Sequence, residues 1–508
     1  MAPGTLLDHD TPTAEPQPSK KVKLSAVTSI LTEDSEEVAA AVPRHPLDIK
    51  PAGNAYTASE DIKSRCGAFA RLPDELLNHL LESFDGDCLI RLGSTCRALY
   101  AFTRLDELWR ALFIASPRAD FEWRGTWRAT YLRTPRENVT SISCKNLFSD
   151  VLYRPFQCAN TPLEPFTSKI PAQNAICRLS NLTYEEYSDQ WTNKPFILTS
   201  PIKEWPIYGK WSAKYILEKY PDVKFRAEAV DWPMRKYMDY LLDSHDESPL
   251  YLFDRAFASK TGITIGRDVP NASYWPPPCF GEDLFDVLGE HRPDHRWMIM
   301  GSKRSGSTFH KDPNATCAWN AVLTGSKYWL MFPSSASLPP PPGVILSADQ
   351  SEITAPLSIA EYLLTFHALA RQTPGCYEGI CNAGEVLHVP SGWFHLVLNL
   401  EDSLALTQNF VPRNKLADVL GFLRDQRDQV SGFKDEVADQ AFELFVEKLR
   451  ERDPVMLEEG LAELERKGKK GRGKWEELTK GAEEEESGGF SFGFGFGGDD
   501  DDDDADIP

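Results

Sequence analysis

Residues 305–313 read Ser-Gly-Ser-Thr-Phe-His310-Lys-Asp312-Pro. His310 and Asp312 are two positions apart. On a strand, or just past its end, that spacing puts both side chains on one face. An imidazole beside a carboxylate makes one edge of a metal site, which then needs a third ligand from a distant strand facing the same interior. His395 is the best placed, following the turn Pro390-Ser-Gly-Trp-Phe394. His388 competes for the role, but it sits in the apolar run Val386-Leu-His-Val389 and reads as a core histidine.

Working outward, short apolar runs bounded by Gly, Pro, Asn or Asp flank the motif: Phe196–Thr199, Trp297–Met300, Tyr328–Phe332, Val386–Val389, His395–Leu398 and Leu404–Thr407. Many short strands with turn signals between them predict a β-barrel or jelly roll. Ala213–Tyr220 and Met234–Leu242 read as helices, 334–356 as an inserted loop and 357–370 as a further helix. Two imidazoles and a carboxylate on one face of Fe(II) leave the opposite face open, which is the facial triad of non-haem iron oxygenases. Such a site needs a dry pocket. Trp319, Tyr328, Trp329, Phe332, Trp393 and Phe394 supply aromatic density suited to one, and equally suited to an ordinary β core.

The 508-residue chain carries a formal charge of -21, but the charge is unevenly placed. Glu483–Glu486, Asp499–Asp504 and Asp506 concentrate negative charge after Lys480, where no Lys or Arg follows. The body is close to neutral, which argues against a general phosphate-binding surface and against sequence-specific nucleic-acid binding. A polyanionic end suits basic protein partners such as histone, splicing or ribosomal proteins. No run long enough for a transmembrane helix and no secretory h-region is read. The ten cysteines form no Cys-x-x-Cys pair and read as reduced, packed thiols.

Residues 1–66 are poor in aromatics and are predicted to be disordered. Within them, Pro18-Ser-Lys-Lys-Val-Lys-Leu24 has the basic character of a nuclear import signal, giving an expected location in the nucleus and possible presence in the cytoplasm. A helical domain is expected over 67–140. Leu72, Leu76, Leu77, Leu80 and Leu81 recur at helical spacing, with Asp74 and Glu75 in a first turn after Pro73. The oxygenase-like region is assigned to 141–413 and a helical region to 414–480. The Gly/Phe-rich and acidic end, 481–508, is expected to be disordered.

Two resemblances sharpen this reading. Leu72-Pro-Asp-Glu-Leu-Leu77, Leu89–Arg97 and Leu108-Trp-Arg-Ala-Leu112 resemble an F-box, which implies that 69–113 docks a Skp-type adaptor and through it a cullin ubiquitin ligase. Thr316-Cys-Ala-Trp-Asn320-Ala, Gly325-Ser-Lys327-Tyr-Trp-Leu-Met-Phe-Pro333 and Gly384-Glu-Val-Leu-His-Val-Pro-Ser-Gly-Trp-Phe-His395 resemble a JmjC oxygenase. Leu396-Val-Leu-Asn-Leu400 and Thr407-Gln-Asn-Phe410, with Ser248-Pro-Leu-Tyr251 upstream, look most like the phosphatidylserine-receptor type, a subfamily of lysyl hydroxylases and arginine demethylases.

The implied fold is α+β: a double-stranded β-helix, or cupin-like jelly roll, with flanking helices, an all-α F-box before it and helices after it. The implied iron ligands are His310, Asp312 and His395. Lys327 is implied to hold the distal carboxylate of 2-oxoglutarate, with Asn320, Ser307, Thr407, Asn409 and Tyr251 around the co-substrate. Ser307 stands where the family commonly has Thr, and Phe394 where the subfamily often has Trp. The implied reaction is Fe(II)- and 2-oxoglutarate-dependent hydroxylation of a protein side chain with O₂, supported by ascorbate. On an N-methyl carbon the same chemistry ends in demethylation, and the sequence does not choose. The competing expectation is a catalytically silent F-box receptor, which would require a damaged iron or co-substrate site.

Overall fold

A computed structural model describes residues 41–118, 120–335, 338–347, 353–355 and 357–485, with side chains placed as far as Lys469. Pro18–Leu24 and the acidic end from 486 lie outside the described residues. The chain divides into two compact units. One runs through Gly281 and takes in 294–312 and 316–410; the other comprises 282–293, 313–315 and the chain from Val411.

In the first unit, helices Asp74–Glu82, Gly86–Gly93, Arg97–Phe102 and Asp106–Ala115 form the F-box-like layer. The first begins after Pro73, which cannot donate a backbone hydrogen bond, and has Asp74 and Glu75 at its positive end. The second is capped by Asp85, which accepts from the Cys88 N–H at 2.7 Å. The helix Asp74–Glu82 buries Leu77 and Leu81, while Leu76, Leu80 and Ile90 of this layer remain exposed.

The strands are short, as their sequence punctuation predicts. β1 (Cys177–Leu179) and β2 (Phe196–Leu198) precede the hairpin β3 (Lys224–Ala227) and β4 (Val230–Pro233), then β5 (Leu252–Asp254). β6 (Thr264–Ile265) and β7 (Ala272–Tyr274) form a small pair, followed by β8 (Arg296–Gly301), β9 (Gly306–His310), β10 (Cys317–Thr324) and β11 (Ser326–Phe332). A second small pair is β12 (Ile345–Leu346) and β13 (Ile353–Thr354), inside the stretch expected to be loop. β14 (Tyr377–Asn382), β15 (Val386–Val389), β16 (Phe394–Asn399) and β17 (Ser403–Phe410) complete the barrel.

The larger sheet has the order β1-β2-β15-β10-β17-β8-β5-β3-β4 and the smaller β14-β11-β16-β9. Because side chains alternate along a strand, each sheet splits its residues between two cores. Ile197, Ala318, Val322, Leu387 and Val389 of the larger sheet meet Trp329, Met331, Cys381 and Val397 of the smaller in the barrel interior. The outer face of the smaller sheet, with Tyr328, Leu330 and Leu396, packs under the helix Ile359–Gln372. The outer face of the larger sheet, with Trp319, Leu404 and Leu406, joins Leu77, Trp109 and Trp127 in one continuous core. The F-box-like helices are therefore packed into the oxygenase body and are not a bead on a linker.

Order begins earlier than composition suggests. Ala52–Thr57, Ile62–Arg65 and Gly67–Arg71 form 3₁₀ turns, correcting the expectation of disorder through residue 66. The anchors are local: Ile49 and Cys66 are buried, and Lys50 bridges to Phe148. A few such contacts suffice to order a segment poor in apolar residues.

The second unit has its own core of Leu284, Phe285, Val411, Leu420, Phe445 and Leu449. Its longer helices are Leu416–Asp425, Ala441–Arg452 and Pro454–Glu485, the last running past the expected limit at 480. No helix among the described residues is long and apolar enough to cross a membrane.

Candidate metal and co-substrate site

β9 and β16 are antiparallel neighbours with His310 directly opposite His395. Gly306 permits this approach, because a methyl group at its Cα would run into the Val397 carbonyl. The two imidazole centroids are 4.1 Å apart. Asp312 lies just beyond the end of β9, and one ligand atom from each of His310, Asp312 and His395 falls within 4.8 Å of the others.

Both rings are oriented by main-chain carbonyls two residues before them. His310 Nδ1 lies 2.8 Å from the Thr308 carbonyl oxygen, and His395 Nδ1 lies 3.1 Å from that of Trp393. A carbonyl can only accept, so each Nδ1 carries the proton and each Nε2 keeps its lone pair for a cation. Trp329 covers His395 in a stacked arrangement at 5.9 Å. Burial, with the neighbouring His310 adding to it, holds the His395 imidazole well below its ordinary range, so the ring is neutral. Burial pushes the Asp312 carboxyl upward, while His310 and a hydrogen bond from Asn409 pull it back. Asp312 Oδ2 is buried without a hydrogen-bond partner. Two imidazoles with Nε2 left for a ligand and a carboxylate short of partners form a donor set that fits a divalent cation.

Lys327 is fully buried on the interior face of β11. Its Nζ donates to Tyr251 Oη and to Asn399 Oδ1, both at 2.7 Å. Both partners are uncharged, and none of the ion pairs among the described residues includes Lys327. Burial brings its ammonium down to about 7, only partly opposed by Cys381. A buried cation with neutral partners calls for an anion. Asn320, on β10, is 4 % exposed, and its Oδ1 has no hydrogen-bond partner. The Lys327 ammonium fits a carboxylate, which the Asn320 side chain can meet only through its amide N–H₂, and its unpartnered Oδ1 asks instead for a donor.

The other expected residues fall into distinct environments. Thr407 is directly opposite Asn320 across β10 and β17, but its hydroxyl donates to the Trp319 carbonyl at 2.8 Å. What it offers the interior is an acceptor and a methyl group, so its proton is already committed. Asn409 donates to Thr316 Oγ1 at 2.9 Å and also reaches Asp312, which places it behind the metal ligand. Ser307 is half-buried on β9, three residues before His310. Phe394 is buried, with the Lys311 ammonium 4.3 Å from its ring centroid. His388 is a core histidine: it stacks on Phe196 at 4.9 Å and meets Tyr187 Oη at 3.1 Å.

Asn399 was missed at the level of sequence. It lies opposite Lys327 in the β11–β16 register, donates to Ser305 Oγ and accepts from Ser403 Oγ. The available signal was a lone amide closing the apolar run Phe394–Leu398. Two cavities of about 550 and 890 Å³ open beside the F-box-like helices. Neither includes the His310–Asp312–His395 cluster, and the chemistry is placed by the donor set and not by cavity size.

Comparison with known proteins agrees with this architecture. Residues 184–416 match a Cupin-like domain and residues 69–115 an F-box-like domain. The arginine-specific demethylase JMJ22 of Arabidopsis thaliana is 36 % identical over 410 residues, covering 78 % of this chain and 79 % of that protein. The bifunctional arginine demethylase and lysyl-hydroxylase psr-1 of Caenorhabditis elegans is 33 % identical over 257 residues, covering 47 % of this chain and 62 % of the relative. The 2-oxoglutarate and iron-dependent oxygenase JMJD4 of Danio rerio is 32 % identical over 174 residues, or 34 % of this chain and 36 % of the relative.

Proposed function

Since the chain belongs to the JmjC oxygenases, the cupin-like enzymes dependent on iron and 2-oxoglutarate, we propose that it hydroxylates a lysyl side chain, or demethylates a methylated arginine or lysine, in a basic protein. The observation that carries the reading is the convergence of His310, Asp312 and His395, with a buried Lys327 on the neighbouring strand that has no acidic partner among the described residues. The relatives named above as demethylases and hydroxylases support it.

Iron and 2-oxoglutarate, when bound, supply the reduction of O₂ that oxidises a C–H bond. The chain does the rest. His310 and His395 would hold the metal through Nε2 and Asp312 through its carboxylate, in orientations fixed by Thr308, Trp393 and Asn409. Lys327 would take the far carboxylate of the co-substrate, and Tyr251 and Asn399 hold the ammonium in place before it arrives. The Asn320 amide is placed to complete that contact. Trp329, Met331, Leu387 and Val389 keep the interior apolar, so these charged contacts act in a weakly screening medium.

A substrate platform lies on the same sheet face. Trp297 is opposite Thr407, and Phe253 is opposite Ile299, two residues along β8 on that face. The Phe253 and Trp297 rings are 5.2 Å apart, and Phe253 is 39 % exposed. Exposed aromatic faces suit the guanidinium or ammonium of a basic side chain.

The F-box-like layer supports a second component of the function. Leu76, Leu80 and Ile90 present an exposed apolar surface consistent with docking of a Skp-type adaptor. We take adaptor binding, and nuclear import through Pro18–Leu24, as parts of the proposal. Replacing Leu76 and Leu80 by Asp tests the first by adaptor pull-down, and replacing Lys20, Lys21 and Lys23 by Ala tests the second by imaging.

The decisive assay is succinate release with Fe(II), ascorbate and a nuclear protein extract. Wild type is expected to release succinate and His310→Ala to release none above background. Equal release by the two would refute the assignment. Mass spectrometry of the extract then separates added oxygen from lost methyl.

A further inference from the structure

Tyr251 owes its position to an unusual stretch of backbone. Ser248–Tyr251 belongs to no strand, and side chains hold its main-chain polar groups. Tyr240 Oη accepts from the Leu250 N–H at 2.8 Å. Tyr237 Oη donates to the Leu250 carbonyl at 3.0 Å. The two ends of the stretch are held from a different direction. Arg110 Nη1 donates to the Ser248 carbonyl at 3.1 Å. Arg110 Nη2 reaches Glu228 Oε2 at 2.9 Å, and Glu228 Oε1 accepts from the Tyr251 N–H at 3.1 Å. One guanidinium therefore grips both ends of the segment, directly at Ser248 and through Glu228 at Tyr251.

Arg110 lies on the helix Asp106–Ala115, inside the F-box-like match. Its side chain is 14 % exposed and that of Glu228 42 %, so the pair is partly open to solvent, and its weight lies in the two main-chain contacts it joins and not in its charge alone. Glu228 sits at the tip of the β3–β4 hairpin with φ +48°, a left-handed conformation that a side chain of this kind rarely adopts. The local cost of that conformation is offset by the two contacts it allows. At the other end of the segment, Tyr251 Oη accepts from Lys327 Nζ.

We infer that Arg110 is a positioning residue through which the F-box-like helices set the co-substrate site, by clamping the segment that carries Tyr251 against Lys327. The inference rests on the reading that Lys327 takes the 2-oxoglutarate carboxylate. By linkage, whatever shifts the helix Asp106–Ala115 changes 2-oxoglutarate affinity, and 2-oxoglutarate changes affinity at that helix by the same factor. This gives the fusion of an F-box to an oxygenase a physical consequence beyond tethering.

The test uses the full chain loaded with Mn(II) under anaerobic conditions, so that binding is read without turnover. Arg110→Ala is expected to weaken 2-oxoglutarate binding about tenfold by calorimetry and to speed amide exchange across 248–252. Arg110→Lys, which keeps the charge but cannot make both contacts, is expected to fall between. Glu228→Gln, which can still accept from the Tyr251 N–H, provides the same comparison should Arg110→Ala fold poorly. Unchanged exchange would refute the clamp. Faster exchange with unchanged affinity would refute its link to the co-substrate. Lys327→Met separates the two layers: were it to bind 2-oxoglutarate as wild type does, the reading of the site would fail, while the exchange data would still report on the clamp.

Discussion

Lys327 and Glu378 lie on adjacent strands of the smaller sheet, and both are fully buried. They differ in what surrounds them. Glu378 faces outward, where Arg371 meets it with Nε at 3.0 Å and Nη2 at 2.9 Å. Tyr328 adds a hydroxyl at 2.7 Å and Asn174 an amide at 3.3 Å. Burial alone would push this carboxyl up, but the hydrogen bonds of His367, Arg371 and Tyr328 hold it at about 2. Lys327 faces inward and has only neutral oxygens. One charge is complete within the protein and the other is left to be completed by something else. Burial by itself thus does not mark a functional charge; incomplete neutralisation does.

The comparison can be broken at several points. The largest effect is expected at the metal ligands: His395→Ala should lower turnover by more than the roughly 100-fold that loss of an outer partner can cost, measured by succinate release. Next, Lys327→Met should weaken 2-oxoglutarate binding about 100-fold yet leave the melting temperature of the ligand-free protein equal or higher, because a buried charge is removed. Glu378→Gln should do the reverse. It strips Arg371 of its buried counter-ion and should cost about 3 kcal/mol of stability in denaturant unfolding, with co-substrate affinity nearly unchanged. If Lys327→Met destabilised and Glu378→Gln impaired binding, the distinction between the two buried charges would collapse.

Acidity sharpens the contrast. Glu378, held below its unfolded value, contributes stability that is present above pH about 4.3 and is lost as the pH falls toward about 2. Lys327 is depressed from an unfolded value of about 10.4 to about 7. The folded protein then binds fewer protons than the unfolded chain between those values, so this residue makes ligand-free stability rise with pH across that window. Binding a dicarboxylate needs the protonated form. Affinity for 2-oxoglutarate is therefore expected to be flat below pH 7 and to fall about tenfold per pH unit above it. The smallest effect is expected at Thr407: with its proton on the Trp319 carbonyl, Thr407→Val should weaken co-substrate binding only about threefold.

The contrast also explains what the sequence revealed. The spacing of His310 and Asp312 puts them on one side of a strand end, which made them legible as a candidate pair, whereas Lys327 was legible only through the resemblance of Gly325–Pro333 to a JmjC oxygenase. The short strands were legible through their punctuation. Asn399 was not, because its role depends on register: it matters only once β16 lies beside β11 with Lys327 opposite. Thr407 was read as a ligand-facing hydroxyl because sequence cannot show that a neighbouring carbonyl takes its proton. The order of 49–71 was hidden for the opposite reason. Its composition is that of a loop, and it is fixed by contacts with residues about 80 to 100 positions away, such as Phe148.

The two histidines hold one further lesson. Each donates its Nδ1 proton to a carbonyl two residues back along the chain. No second side chain accepts either proton, so the contact survives any substitution that leaves the main-chain path intact, Gly306 being one position where that path is at stake. The part of the site most sensitive to ring orientation thus depends on the main-chain path and not on a neighbouring side chain. A lineage can rework its loops, its second unit and its substrate platform while inheriting the same metal geometry, needing only to keep the histidines and the strand path beneath them.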